Sequence, residues 1–241
     1  MNLAALFRDR RKVRPLFSIV IPVLNGAEKV EQSIQSVLRE PSELWELWVI
    51  DGGSKDGTVD AIRRHEGRLR WVSERDAGIF DAMNKGIARS AAPYLYFLGA
   101  GDTLRPGALE KVARQVPRSR PGFLYGNVFM QDKQIVWDGA WTPEKFRTRT
   151  PCHQAIFYDR RIFRWLGGYD LQFPALADYA MNIRCFGDSR VRKIFVDEII
   201  ADYEGAGNST RFRDEAFYEA RPELLRRWLG VEPKKKKTPA I

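Results

Sequence analysis

From residue 17 to residue 98, apolar runs alternate with stretches of helical spacing, and short polar turns separate them. FSIVIPV (17–23), LWELWVI (44–50), LRWVS (69–73) and YLYFL (94–98) have the length and the bounding turns of strands. FSIVIPV and YLYFL, as continuous apolar runs, read as strands buried on both faces. Val30, Ile34, Val37 and Leu38 mark an amphipathic helix over 27–39, and residues 58–65 read as a short helix. Phe80, Met83 and Ile87 mark another over 79–90. A further helix is expected from Pro106 to Val116, since a proline's missing N–H costs nothing in a first turn. This alternation predicts an α/β fold with a mostly parallel central sheet flanked by helices.

Beyond residue 120 the pattern is less regular. FLYGNVFMQ and KQIVWDG predict a hairpin, QAIFY (154–158) a strand, and 159–166 and 178–186 helices. RKIFVDEIIADYE reads as two short strands, and residues 210–229 as an amphipathic helix. No repeat or long linker divides the chain, and its 241 residues, 44% of them hydrophobic, suffice for one sizeable core. The expected organisation is a basic N-terminal segment (1–16), one domain over 17–230 and a lysine-rich tail (231–241) that lacks order. Within the domain, 17–102 forms one half and 103–230 the other. No run reaches the roughly eighteen apolar residues of a membrane-spanning helix. The N-terminus places a short apolar stretch before its basic residues, the reverse of a secretory signal, so a cytosolic protein is expected. Cys152 and Cys185 have no metal-ligand spacing and read as free core thiols.

Of the net charge of +9, residues 8–14 carry +4 and residues 231–241 carry +3, which leaves +2 for the body between them. A nucleic-acid partner calls for a basic stripe across the folded surface and is not expected. Basic ends on a balanced body suit docking to an anionic membrane face, and equally suit solvated tails.

Ligands of open α/β sheets bind at the C-terminal edge of the strands. Asn25, Asp51, Asp76 and Asp102 each follow one of the first four strands, so four polar side chains collect along that edge. Each alone would pass for a turn former; together they predict a binding cleft. The chain has no G-x-x-x-x-G-K-[ST], no completed G-x-G-x-x-G, no G-x-S-x-G and no H-E-x-x-H. With only His65 and His153 present, a histidine-rich metal site is excluded.

FSIVIPVLNGAEKVEQSIQSVL, LWVIDGGSKDGTVDAI and ERDAGIFDAMNKGIARSAAPYLYFLGAGD resemble the family 2 glycosyltransferases, inverting enzymes of the A-type fold that use nucleotide-sugar donors. HQAIF (153–157), GGYD (167–170), ADYAMNIR (177–184) and a weaker GAGNST (205–210) extend the resemblance over roughly residues 17–210. The DAGIFDAMNKGI stretch is similar to the bacterial polysaccharide and glycolipid branch. The resemblance implies a nucleotide-binding half (17–102) and an acceptor-side half (103–230). It places Pro22, Val23, Asn25 and Asp51 at the nucleoside, where a carboxylate accepts hydrogen bonds from ribose or base. Asp76, Asp81, Asn84 and Lys85 would cover the base, ribose and phosphates, although Lys85 reads somewhat better as a solvated helix residue.

The resemblance also makes Asp102 the ligand of Mg²⁺ or Mn²⁺ held against the donor diphosphate. The family pattern there is similar to Asp-x-Asp-Asp, whereas residues 99–102 are Gly-Ala-Gly-Asp, which implies weak metal binding without donor. Asp178 matches the general base, with an N-cap as its alternative role. His153 and Gln154 match a pair in the acceptor and phosphate region, and Trp137 and Trp141 could stack on a sugar or pack in the core. The implied partners are a nucleoside-diphosphate sugar and a glycan or lipid-linked acceptor. The implied location is the cytoplasm, peripheral on the inner membrane face. A rival reading is a catalytically silent nucleotide-sugar-binding module, motivated by the depleted acidic motif.

Overall fold

The C-terminal ends of the first strands fall into line, and the polar loops gather along that line. The computed structural model describes residues 14–205 and 213–233. The basic stretch 8–13, residues 206–212 of the GAGNST region and residues 234–241 of the lysine tail lie outside the described residues. Strands β1 (Phe17–Val23), β2 (Trp45–Asp51), β3 (Arg70–Ser73) and β4 (Tyr94–Phe97) pair in parallel in the order β3-β2-β1-β4. Their register sets Val23 beside Asp51 and Asp51 beside Ser73. Helices α1 (Ala27–Leu38), α2 (Thr58–Arg63) and α3 (Ile79–Arg89) make the crossovers.

Successive side chains of a strand face opposite sides of the sheet. Phe17, Ile19, Ile21 and Val23 therefore share one core layer with Val30, Ile34 and Val37 of α1. Val20 meets Phe80 and Met83 of α3 on the other side. Both faces of β1 are covered, which is why its sequence is a continuous apolar run and not an alternation.

The chain continues through β5 (Thr103–Leu104), α4 (Ala108–Ala113), β6 (Gly122–Met130), β7 (Ile135–Trp137), β8 (Ile156–Asp159) and α5 (Arg160–Leu166). Then come α6 (Ala177–Gly187), β9 (Arg192–Tyr203) and α7 (Glu215–Leu224), which runs on into a π-helical turn, Leu225–Leu229. These strands extend the sheet in the order β4-β8-β6-β9-β5, with β7 paired to β6. β8 is antiparallel to both β4 and β6, while β6 and β9 run parallel. The sheet is thus parallel from β3 to β4 and mixed beyond. Cys152 and Cys185 are free thiols, and no described helix is long and apolar enough to cross a membrane.

Two expectations need correction, and one strand was not expected. The helix expected over 106–116 is shorter, because Gly107 caps it in a left-handed conformation and leaves Pro106 outside. The buried Glu40 carboxylate instead accepts the free N–H groups of Gly107 and Leu109, at 2.7 and 3.0 Å. RKIFVDEIIADYE forms one strand, not two. Its polar centre bulges out between the pairs Tyr125–Phe195 and Asn127–Ile199, so pairing resumes without a turn. The two-residue strand Thr103–Leu104, which pairs with the end of β9, is too short to leave a pattern in the sequence.

Gly187 ends α6 against the π-helical turn. A Cβ there would lie 2.1 Å from the carbonyl oxygen of Trp228, a backbone atom that cannot swing aside. Gly187→Ala is expected to cost about 1–3 kcal/mol as overpacking, read as a lower urea midpoint at unchanged slope.

Candidate active site

The loops after β1 and β2 brace each other. Asn25, itself left-handed at φ 50°, accepts from Lys55 N–H at 3.0 Å, and its own N–H donates to Ser54 Oγ at 2.7 Å. Asp51 is fully buried, and its carboxylate accepts from Gly53 N–H, Ser54 N–H, the Ser54 hydroxyl and the Ser73 hydroxyl. Pro22 and Val23 are buried at the end of β1. Asp51 thus stands at the strand end where the resemblance expects the nucleoside, with protein donors on its carboxylate. It shapes the wall, whereas Asn25 stands on the exposed rim.

The loop entering α3 is closed on itself. Asp76 accepts from Gly78 N–H and Asp81 from Ala77 N–H, both at 3.0 Å. Lys85 donates to the Arg75 carbonyl at 2.8 Å and lies 3.4 Å from both Glu74 and Asp81, so it is tied to this loop and not free in solvent. Gly52 leaves room for Asp76, since a Cβ there would come 2.5 Å from Oδ2. Asn84 faces the second half of the chain. It accepts from Tyr169 N–H at 2.8 Å and donates to Tyr169 C=O at 2.9 Å, anchoring the GGYD turn.

Asp102 sits after β4 with 5% of its surface exposed. Oδ1 accepts from Glu204 N–H at 2.9 Å and Oδ2 from the Gln154 amide at 2.7 Å. Burial pushes its carboxyl up to about 6, although both donors favour the charged form. Ser33 fixes the turn below it, donating to the carbonyl of Asp102 at 2.8 Å and accepting from Gly101 N–H at 3.0 Å.

The two glycines of the turn leave room for neighbouring carboxylates. A Cβ at Gly99 would lie 2.5 Å from Asp102 Oδ2. Gly101 has φ +102°, and a Cβ there would come 2.7 Å from Glu204 Oε2. Glu204, paired with Lys29 at 2.6 Å, fills the space that a side chain at 101 would take. Among the described residues no group of three or more histidine, cysteine or acidic side chains is arranged around a metal. The donor set fits a hard cation held by one carboxylate, with each Asp102 oxygen keeping a second lone pair, provided a ligand supplies the other oxygens.

Asp178 lies in the first turn of α6 with its side chain 12% exposed. It is not the cap, a role that falls to Leu176. Asp214 takes the N–H groups of Ala175 and Leu176 at 2.9 and 3.0 Å. Asp178 Oδ1 accepts from Tyr179 N–H at 2.8 Å, and Oδ2 lies 3.3 Å from His153 Nδ1. Asp102, Gln154, His153 and Asp178 are thus joined in one chain of contacts. Trp141 is buried against Phe146, and the guanidinium of Arg149 covers Trp137 at 5.0 Å. Ser33, Lys29 and Glu204 escaped the sequence reading. Only Ser33 left a signal, as a polar residue on the apolar stripe of α1.

The model for "Glycosyl transferase family 2" matches residues 18–168. A "PGL/p-HBAD biosynthesis glycosyltransferase" of Mycobacterium tuberculosis is 36% identical over 225 residues, covering 90% of this chain and 87% of the relative. Among solved structures, S. aureus TarS 1-349 in complex with UDP-GlcNAc superimposes with a TM-score of 0.71 at 14% identity, over 90% of this chain and 67% of that one. The mannosyltransferase PcManGT from Pyrobaculum calidifontis, in complex with GDP-Man and Mn²⁺, gives a TM-score of 0.63 at 15% identity, over 92% and 77%. These two likenesses bear on the fold. The chain belongs to glycosyl transferase family 2, and it is a glycosyltransferase of the A-type fold.

Proposed function

We propose that the protein moves one sugar, with inversion, from a nucleoside-diphosphate sugar to a hydroxyl of a glycan or glycolipid acceptor. The observation that carries this reading is the contact chain from Asp102 to Asp178, which joins two buried carboxylates through the His153–Gln154 turn. The TarS and PcManGT complexes, with UDP-GlcNAc and GDP-Man, support a nucleotide-sugar donor. Asn25 and the loop braced by Asp51 form the nucleoside side of the cleft, with Pro22 and Val23 beneath, and the loop carrying Asp76, Asp81 and Lys85 borders it. Asp178 Oδ2 takes the proton of the acceptor hydroxyl while that oxygen attacks the anomeric carbon. The bond from that carbon to the diphosphate oxygen breaks on the opposite face, and the diphosphate leaves with the electron pair. Bound Mg²⁺ or Mn²⁺, held by Asp102 and the donor's own phosphates, would supply charge neutralisation for that leaving group.

The basic residues at both ends of the chain support placement on the cytoplasmic face of an anionic membrane, near lipid-linked acceptors. The glycine pair at 99 and 101 favours one alternative, a module that binds nucleotide sugars without turning them over. A thermal-shift and turnover screen over UDP-, GDP- and dTDP-sugars, with and without Mn²⁺, separates the two. The transferase reading predicts Mn²⁺-dependent release of nucleoside diphosphate from at least one donor. Binding without release from any donor supports the silent module.

A further inference from the structure

The two carboxylates of the cleft belong to segments far apart in sequence, yet adjacent residues of one 3-10 turn, His153–Ala155, touch both. His153 Nδ1 lies 3.3 Å from Asp178 Oδ2, and Gln154 Nε2 lies 2.7 Å from Asp102 Oδ2. The turn is held on several sides. The hydroxyl of buried Tyr96, on β4, donates to the Gln154 carbonyl at 2.7 Å. Ala155 N–H donates to the Cys152 carbonyl at 3.0 Å, and the turn runs directly into β8, between β4 and β6.

The orientation of both side chains follows from their partners. Cys152 Sγ–H donates to Gln154 Oε1 at 2.7 Å, so the amide must present its N–H to Asp102. Oδ2 of Asp178 is an acceptor, so Nδ1 of His153 carries the hydrogen. Helix α6 is tied to the segment leading into the turn by two further bonds. Tyr179 Oη donates to the Phe146 carbonyl at 2.7 Å, and the Asn182 amide to the Thr150 hydroxyl at 2.9 Å.

We propose that the His153–Gln154 turn is a two-armed positioning element, holding Asp178 through His153 and Asp102 through Gln154 at one fixed separation. The inference rests on the roles assigned to these two carboxylates under Proposed function. Transfer needs the acceptor oxygen and the departing diphosphate aligned on opposite faces of one carbon, and an error near 1 Å at either end costs about 100-fold in rate. Two independent loops would let the separation drift, whereas one turn rooted in the sheet does not. Neither residue of the turn exchanges a proton with substrate in this account.

Each arm has its own readout in the full chain. Asparagine places an amide N–H where Nδ1 stands, and glutamine places it one bond further out. His153→Ala and His153→Gln are expected to lower kcat by about 30-fold at unchanged donor KM, while His153→Asn returns to within about threefold of wild type. Gln154→Leu is expected to weaken Mn²⁺ binding about 10-fold, read by electron paramagnetic resonance in the presence of the nucleoside diphosphate selected by the donor screen. The proposal is overturned if His153→Asn is as impaired as His153→Gln, if His153→Gln matches wild type, or if Gln154→Leu binds Mn²⁺ as wild type does. The asparagine-to-glutamine comparison stands even where the alanine variant folds poorly. Asp178→Asn in the same series separates the two levels. If it keeps wild-type kcat, the base assignment fails and the positioning claim with it; if it is inactive while the His153 series is flat, the positioning claim fails alone.

Discussion

Asp178→Asn is expected to lower the rate of transfer by roughly 1,000-fold while leaving donor affinity within about twofold of wild type. The substitution keeps the shape of the side chain, and its carbonyl oxygen still accepts from Tyr179 N–H, the 2.8 Å bond that Oδ1 makes in the wild type. What it removes is the oxygen able to take a proton from the acceptor hydroxyl. Because Leu176 is the helix cap and Asp214 satisfies the backbone N–H groups just before α6, the fold does not depend on this carboxylate. The urea midpoint should therefore hold while kcat collapses. Matched kinetics and donor titrations on the two proteins check this, and a variant that turns over at the wild-type rate contradicts it.

Asp102→Asn should remove turnover and, with it, a pH dependence of stability. Loss of the anionic ligand is expected to reduce Mn²⁺-dependent turnover by about 100-fold or more. The metal-free fold should instead lose a pH dependence, since the variant's amide faces Gln154 Nε2 alike at every pH and only the wild type titrates. Burial raises the Asp102 carboxyl to about 6, above its unfolded value near 4, so the folded chain holds this proton more tightly. The stability linked to that proton is fully present below about pH 4 and is lost as the pH rises through about 6. At pH 8 the wild type carries the whole cost of an ionised, buried carboxylate, on the order of 2 kcal/mol, and the asparagine variant does not. Urea midpoints measured from pH 4 to 8 should fall for the wild type relative to Asp102→Asn. Parallel curves for the two proteins contradict this account.

The first half of the fold was readable because parallel strands buried on both faces leave continuous apolar runs, and FSIVIPV and YLYFL became β1 and β4 with ends within about one residue of those expected. The polar residues after the strands were also legible as neighbours, since parallel register puts those loops side by side. Failures came where tertiary contacts override local pattern. Asp197 and Glu198 look like a turn, but a bulge carries them through a single strand. Pro106 looks like a helix start, but the Glu40 carboxylate sets the N-terminus two residues later.

In the candidate site, the structure shows which protein groups the residues named by the resemblance already hold. Asp51 accepts from its own loop and from Ser73 of β3, and Asn84 grips Tyr169. The missing acids at 99 and 101 read as losses in sequence. In three dimensions neighbouring carboxylates use that space, Asp102 at Gly99 and Glu204 at Gly101, and Gly101 also has a left-handed backbone. Glu204 lies 102 residues from Asp102 along the chain, a separation at which no sequence spacing signals contact.

The central claim is a single displacement at the anomeric carbon with Asp178 as base. It is tested most directly by time-resolved proton NMR of donor turnover by the full chain with Mn²⁺ and water as acceptor. The account predicts that the first sugar released has the anomeric configuration opposite to that of the donor, and that Asp178→Asn releases none on the same timescale. A first product with the donor's own configuration, or nucleotide binding with no release from any donor in the panel, would contradict it.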